Sequence, residues 1–206
     1  MAKHADGGRI CNSPTPKLRV LERTRGTAAQ ASNAASERVL PEYDATTLVG
    51  LRTTVRQAAI ERTNEDGEVT IELPKLPELL ASAAVVRCLV PIRLRGSELK
   101  AIRKILNLTL NEMAKSLDER TAAETVSRWE SEAQPMGGYA EKLFRLLVCE
   151  RLQKQAPGIE YKASMIPNLK VIDPWRLDAS RELPQVVLCL IHLKEESGSI
   201  IDAWAA

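Results

Sequence analysis

Two Thr-x-x-Glu boxes, Thr109-x-x-Glu112 and Thr121-x-x-Glu124, constrain this chain more than any other feature. In such a box the hydroxyl and the carboxylate satisfy each other's terminal amides, so each predicts a helix start. Around them the apolar residues recur at helical spacing. A first helix is predicted from Gly96-Ser97 through Leu99, Ile102, Arg103 and Leu106, and a second, opened by Thr109, bears Met113, Ala114 and Leu117. Thr121 opens a third through Val126 and Trp129. After Pro135 and Gly137-Gly138 a fourth carries Leu143, Leu146, Leu147 and Leu152, and stops before Pro157-Gly158. Two short capped helices joined by a tight turn, with an apolar anchor behind them, form a device that places the second helix in the major groove of DNA. Residues 95–155 therefore read as a helix-turn-helix domain.

The flanks carry the β signals. Residues 1–40 read as a flexible basic arm: they hold Pro14, Pro16, a small-residue run from Thr27 to Ser36, and seven bases against three acids. From Leu48 the pattern alternates through Leu51, Thr53, Val55 and Gln57. Asn64-Glu65-Asp66-Gly67 supplies turn chemistry, and Val69, Ile71 and Leu73 alternate again, which predicts a hairpin. A helix follows from Pro77 through Val86, and Pro91 ends it. Residues 41–92 thus read as a small α+β accessory or dimerisation domain. In the C-terminal extension, 158–206, the run Val186–Ile191 predicts a buried strand that another strand must cover, for which a second chain is one candidate. The expected fold class is mainly α with accessory β, a helix-turn-helix domain flanked by these two segments.

Composition narrows the function. No run approaches the ~18 consecutive apolar residues of a membrane span, and Met1–Gly8 lacks the apolar core of a secretory signal. Aromatic residues make up 3% of the chain, too few for stacking single-stranded bases. Cys11, Cys88, Cys149 and Cys189 lie far apart, as do His4 and His192, so no spacing suggests a metal and no cofactor is expected. The thiols are expected to be small buried hydrophobes in a cytoplasmic protein, and His192 a satisfied strand residue. Without a phosphate loop, H-E-x-x-H or G-x-S-x-G, no enzyme is expected.

The stretch Arg95–Lys104, continued by Leu108–Ala114 and by Glu124-Thr125-Val126-Ser127-Arg128-Trp129-Glu130, resembles the lambda-repressor-like (XRE) helix-turn-helix family. Within it the chain is most similar to the MqsA antitoxins, which also place a small domain before the helix-turn-helix. The resemblance implies a homodimer on a palindromic operator in double-stranded DNA, repressing transcription, often of its own operon. The chain departs from that pattern in several places. It has no zinc knuckles, Leu110 stands where the family often has a phosphate-binding Gln, and the turn at 118–123 is about two residues longer.

The candidate DNA-binding residues are Thr109, Asn111, Arg120, Thr121, Ala123, Glu124, Thr125, Ser127 and Arg128. Ser127 and Arg128 are the leading readers. Arg128 either pairs with guanine or is a surface base paired with Glu124, four residues earlier on one helix. Thr125 is either a contact or a plain surface residue. Thr109 and Thr121 are caps first, with phosphate contact from neighbouring amides second, while Lys115 and Arg120 flank the turn. From Gly96 to Leu152 nine bases face nine acids, so affinity depends on how the charges sort by face. The alternative function is an antitoxin-like or anti-activator protein that works mainly by binding a toxin or an activator, motivated by the apolar strand 186–191.

Overall fold

A computed structural model describes residues 36–64, 66–173, 184–194 and 199–206. The first 35 residues, most of the predicted arm, lie outside the described residues. Its end, Ser36–Leu40, is instead the start of strand β1 (Ser36–Asp44). A single helical turn, α1 (Thr46–Val49), closes on Gly50, whose φ of 74° is one that glycine adopts freely. Strand β2 (Thr53–Thr63) pairs antiparallel with β1 along its length and with β3 (Val69–Glu72) at its end. The alternation predicted through Gln57 fails there for a local reason. Gln57 takes φ 51°, the register against β1 shifts between Leu40 and Glu42, and Ala58 and Ala59 are both buried. One extra residue in β2 opposite Pro41, which has no N–H to donate, is a β-bulge.

Helix α2 (Leu76–Leu89) follows with Pro77 in its first turn. Ala81, Ser82, Ala83, Ala84 and Val85 are all buried, so this helix is enclosed on every side. It packs against α3 and α6 and against the strands β4 and β5 defined below. Its small side chains let several elements approach one axis.

Four helices come next: α3 (Gly96–Ile105), α4 (Leu110–Leu117), α5 (Ala123–Glu130) and α6 (Gly138–Leu152), close to the spans expected from caps and periodicity. Short 3-10 turns at 153–155 and 163–165 lead back to the sheet. Strand β4 (Val186–Lys194) pairs parallel with β2 over Val186–Cys189 and antiparallel with β5 (Ile200–Ala205) over Cys189–Lys194. The covering strands of the apolar run are therefore intramolecular, which corrects the second-chain candidate. The fold is α+β with a five-stranded sheet in the order β1-β2-β4-β5, β3 lying beside β2. The strands are more than accessory: those from either side of the helices join in one sheet, so the strand content is part of the core.

The stretch between α2 and α3, residues 90–95, is held by two buried arginines. Arg145 of α6 donates to the carbonyls of Cys88, Val90 and Ile92 at 2.6, 2.7 and 2.7 Å, and to Glu141 Oε1. Arg87 of α2 donates to the Ile92 and Arg93 carbonyls and forms a two-point ion pair with Glu98 of α3, at 2.6 and 2.8 Å. Carbonyls left without helix partners at the end of α2 thus receive charged donors, which is how buried polar backbone is tolerated. Ile172 runs back beside Ile92 in a parallel bridge, with Arg93 N–H to Ile172 O at 2.9 Å and Ile172 N–H to Pro91 O at 2.8 Å.

Candidate nucleic-acid interface

The α4–α5 pair is built on caps and a buried anchor. Thr109 Oγ1 accepts from Glu112 N–H at 3.2 Å and Glu112 Oε2 accepts from Thr109 N–H at 2.8 Å, completing the first predicted box. Those bonds hold the Glu112 carboxyl below its ordinary value. The second predicted box does not form. The residue before α5 is Ala122, with no side-chain cap, and Thr121 donates its N–H to Asp118 O at 3.0 Å. Asp118 is the cause: its Oδ1 accepts from Arg120 N–H at 3.2 Å, and its carbonyl holds Thr121 inside the turn, so the helix begins one residue later.

Inside this pair Met113, Ala114, Leu117, Val126 and Trp129 are buried. Helical geometry then turns Glu124, Ser127 and Arg128 outward, and all three are exposed. Ser127 and Arg128 stand side by side on the outer face of α5. Ala123 and Thr125 are half-buried. Thr109 and Asn111 are exposed at the start of α4, Arg120 is exposed in the turn, and Thr121 is half-buried. The ion pair of Arg128 with Glu124 is absent: among the described residues the Arg128 guanidinium has no carboxylate within ion-pair distance.

Sequence reasoning missed what fixes α5. Arg103 of α3 grips Glu130 with Nε to Oε1 at 2.6 Å and a second nitrogen to Oε2 at 3.0 Å, and its third donor reaches Leu108 O at 2.8 Å. One guanidinium thereby ties the end of α5 to the residue before the Thr109 cap. The Glu130 bond raises the Arg103 pKa further above its already high value. Spacing carried the signal: Arg103 lies four after Leu99, and Glu130 lies four after Val126, so both fall on inward faces. Gly96 was also missed. A Cβ there would lie 2.4 Å from Glu130 O and 2.7 Å from Trp129 O, so only glycine lets α3 start against the end of α5.

These internal pairs change the charge tally. Glu98, Glu130, Glu141, Arg103 and Arg145 are spent inside the fold, which leaves seven bases and six acids between Gly96 and Leu152. Around the α4–α5 face Lys115, Arg120 and Arg128 alternate with Glu112, Asp118, Glu119 and Glu124. The face is mixed rather than basic.

Other features are quieter. Burial raises the Cys88 thiol pKa and pushes that of Cys149 up to about 12, which makes both poor nucleophiles. Exposed His192 meets Asp202 across the β4–β5 pair at 2.5 Å. Among the described residues, no three His, Cys, Asp or Glu side chains gather as a metal would need, and no helix is long and apolar enough to cross a membrane.

A capped helix, a short turn and a second helix with an exposed Ser-Arg pair are thus mounted on an α+β body. The Aca2/YdiL-like family model matches residues 94–163, the part of the chain that holds α3 to α6. It is a family of helix-turn-helix-like regulators. No curated protein and no solved structure matches the chain.

Proposed function

We propose that the chain is a sequence-specific transcriptional regulator that reads double-stranded DNA with α5. The observation that carries this reading is the pair Ser127 and Arg128, exposed together on the outer face of a helix whose inner face is anchored by Val126 and Trp129. An arginine without an ion pair on such a face presents the fork that matches the O6 and N7 of guanine. The likeness of residues 94–163 to a regulator family supports it, as does the resemblance of 95–130 to lambda-repressor-like helix-turn-helix sequences. The mixed charge of the face favours base readout over bulk phosphate attraction, so non-specific binding is weak. Action as a homodimeric repressor on a palindromic operator, its own included, extends the same reading.

The antitoxin-like alternative rested on strand 186–191 as a free pairing edge. That strand pairs with β2 over Val186–Cys189 and with β5 over Cys189–Lys194, which weakens the motive, and binding of a toxin or an activator is kept as the second reading.

Fluorescence anisotropy on DNA from the gene's own upstream region, against a scrambled duplex at two salt concentrations, tests the proposal. Specific binding exceeds non-specific by about 10³-fold or more. Arg128→Ala lowers it by the ~1–3 kcal/mol of a bidentate base contact and leaves the scrambled duplex almost unaffected. Unchanged specific binding by Arg128→Ala removes α5 as the reader.

A further inference from the structure

Apart from the outer face of α5, a cavity of about 360 Å³ opens between the start of α3 and the segment that follows α5. That volume lies at the small end of ligand pockets, which run from roughly 300 to 1,000 Å³. Leu99, Trp129 and Met136 supply an apolar wall, and Arg93 and Arg95 supply positive charge. Arg93 is committed to Asp173 at 3.2 Å and lies 3.6 Å from Glu141. Arg95 faces Glu132: its guanidinium is 3.7 Å from Oε2, while Gly96 N–H donates to Oε1 at 3.1 Å. The chain therefore already seats one carboxylate at the cavity, between a guanidinium and a backbone N–H. The seat is lightly held, since the Glu132 side chain is 43% exposed and can swing into water without being buried elsewhere.

We propose that this cavity binds a small carboxylate on a planar apolar body. Its head replaces the Glu132 carboxylate on Arg95 and Gly96, and its body lies against Trp129, Leu99 and Met136. A guanidinium beside an N–H donor matches the two oxygens of a carboxylate, and an indole wall favours a flat partner. Asp173 on the rim, with the displaced Glu132, disfavours the double charge of a phosphate. The site is independent of DNA reading by α5, so its test and the operator test fail separately.

Benzoate is the probe, benzamide its uncharged counterpart of the same shape, and amide and indole NMR shifts of the full chain the readout. Benzoate is expected to shift the Gly96 amide and the Trp129 indole saturably, with Kd in the ~1 mM range. Glu132→Gly, which removes the competing carboxylate and suits the φ of 59° at that position, binds about fivefold tighter, the scale of one half-exposed ion pair. Arg95→Met weakens binding by about tenfold or more. The comparison of Glu132→Gly with wild type does not depend on Arg95→Met folding. No saturable shift at Gly96 or Trp129 in Glu132→Gly, or an equal response to benzamide, overturns the proposal.

Discussion

Replacing Arg145 by lysine keeps the charge and removes the fork, and the cost can be worked from the bonds. Arg145 is fully buried and all five of its N–H donors are in use: two to Glu141 Oε1, one each to the carbonyls of Cys88 and Val90, and one to that of Ile92. A lysine ammonium has three donors radiating from one point. Ile92 O keeps Arg87 as a second donor, and Glu141 Oε1 keeps the Leu94 N–H at 3.0 Å. Among the described residues the Cys88 and Val90 carbonyls receive no other side-chain donor, and one ammonium does not reproduce the fork that serves both together with Glu141. Leaving one or two buried carbonyls unsatisfied costs about 1–3 kcal/mol each. Arg145→Lys is therefore expected to lose about 3 kcal/mol, within the ~5–15 kcal/mol of a stable domain, so the protein still folds. Equilibrium urea unfolding reads the change as a lowered midpoint with an unaltered slope. A loss below about 1 kcal/mol would refute the claim that geometry, rather than charge, makes this site an arginine.

Two further outcomes follow from the described contacts. Gly96→Ala drives a Cβ against the Glu130 carbonyl, so the end of α5 must shift; about 1–3 kcal/mol of stability is expected to go, checked by thermal unfolding, with weaker operator binding by anisotropy. Thr109→Ala removes a cap and costs about 1 kcal/mol, whereas Thr121→Ala, at a residue that caps nothing, stays within about 0.5 kcal/mol. The Glu112 half of the box depends on pH. Because the Glu112 carboxyl is held below its unfolded value, its contribution is complete above the ordinary carboxylate range and fades as pH falls through the lowered folded value. Wild type and Glu112→Ala should therefore converge in stability under acid, since the bond lost is that of the Glu112 carboxylate to the Thr109 N–H; a constant gap down to that range counts against the box.

Much of the helical unit is legible in the sequence because its signals are local. Thr109 and Glu112 lie within one turn of each other, and Val126 and Trp129 announce an inner face without knowledge of any partner. Thr121 shows the limit of that logic, since Asp118 competes for the same backbone through an equally local turn. Strand β1 was hidden for another reason. Its Glu37, Arg38, Pro41 and Glu42 are ordinary for an exposed edge, where backbone pairing rather than side-chain burial makes the strand. The parallel match of β2 with β4 depends on residues far apart in sequence, which no short-range pattern encodes. The ion pairs Arg87–Glu98 and Arg103–Glu130 are invisible to a charge tally, because charged side chains are seldom buried. The consequence reaches the candidate site, since Arg103, Gly96 and Glu132 act only through contacts between elements.

The β2–β4 pairing also sets a timetable for the chain as it is made. Thr54 meets Gln185 across 131 positions, and everything between them, the α3–α6 helices included, must leave the ribosome first. At about 5–20 residues per second that interval is on the order of ten seconds. During it one side of β2 at Thr53–Arg56 has no strand to pair with. The buried Thr53, Thr54 and Val55 wait as a sticky edge until strand β4 arrives to cover it.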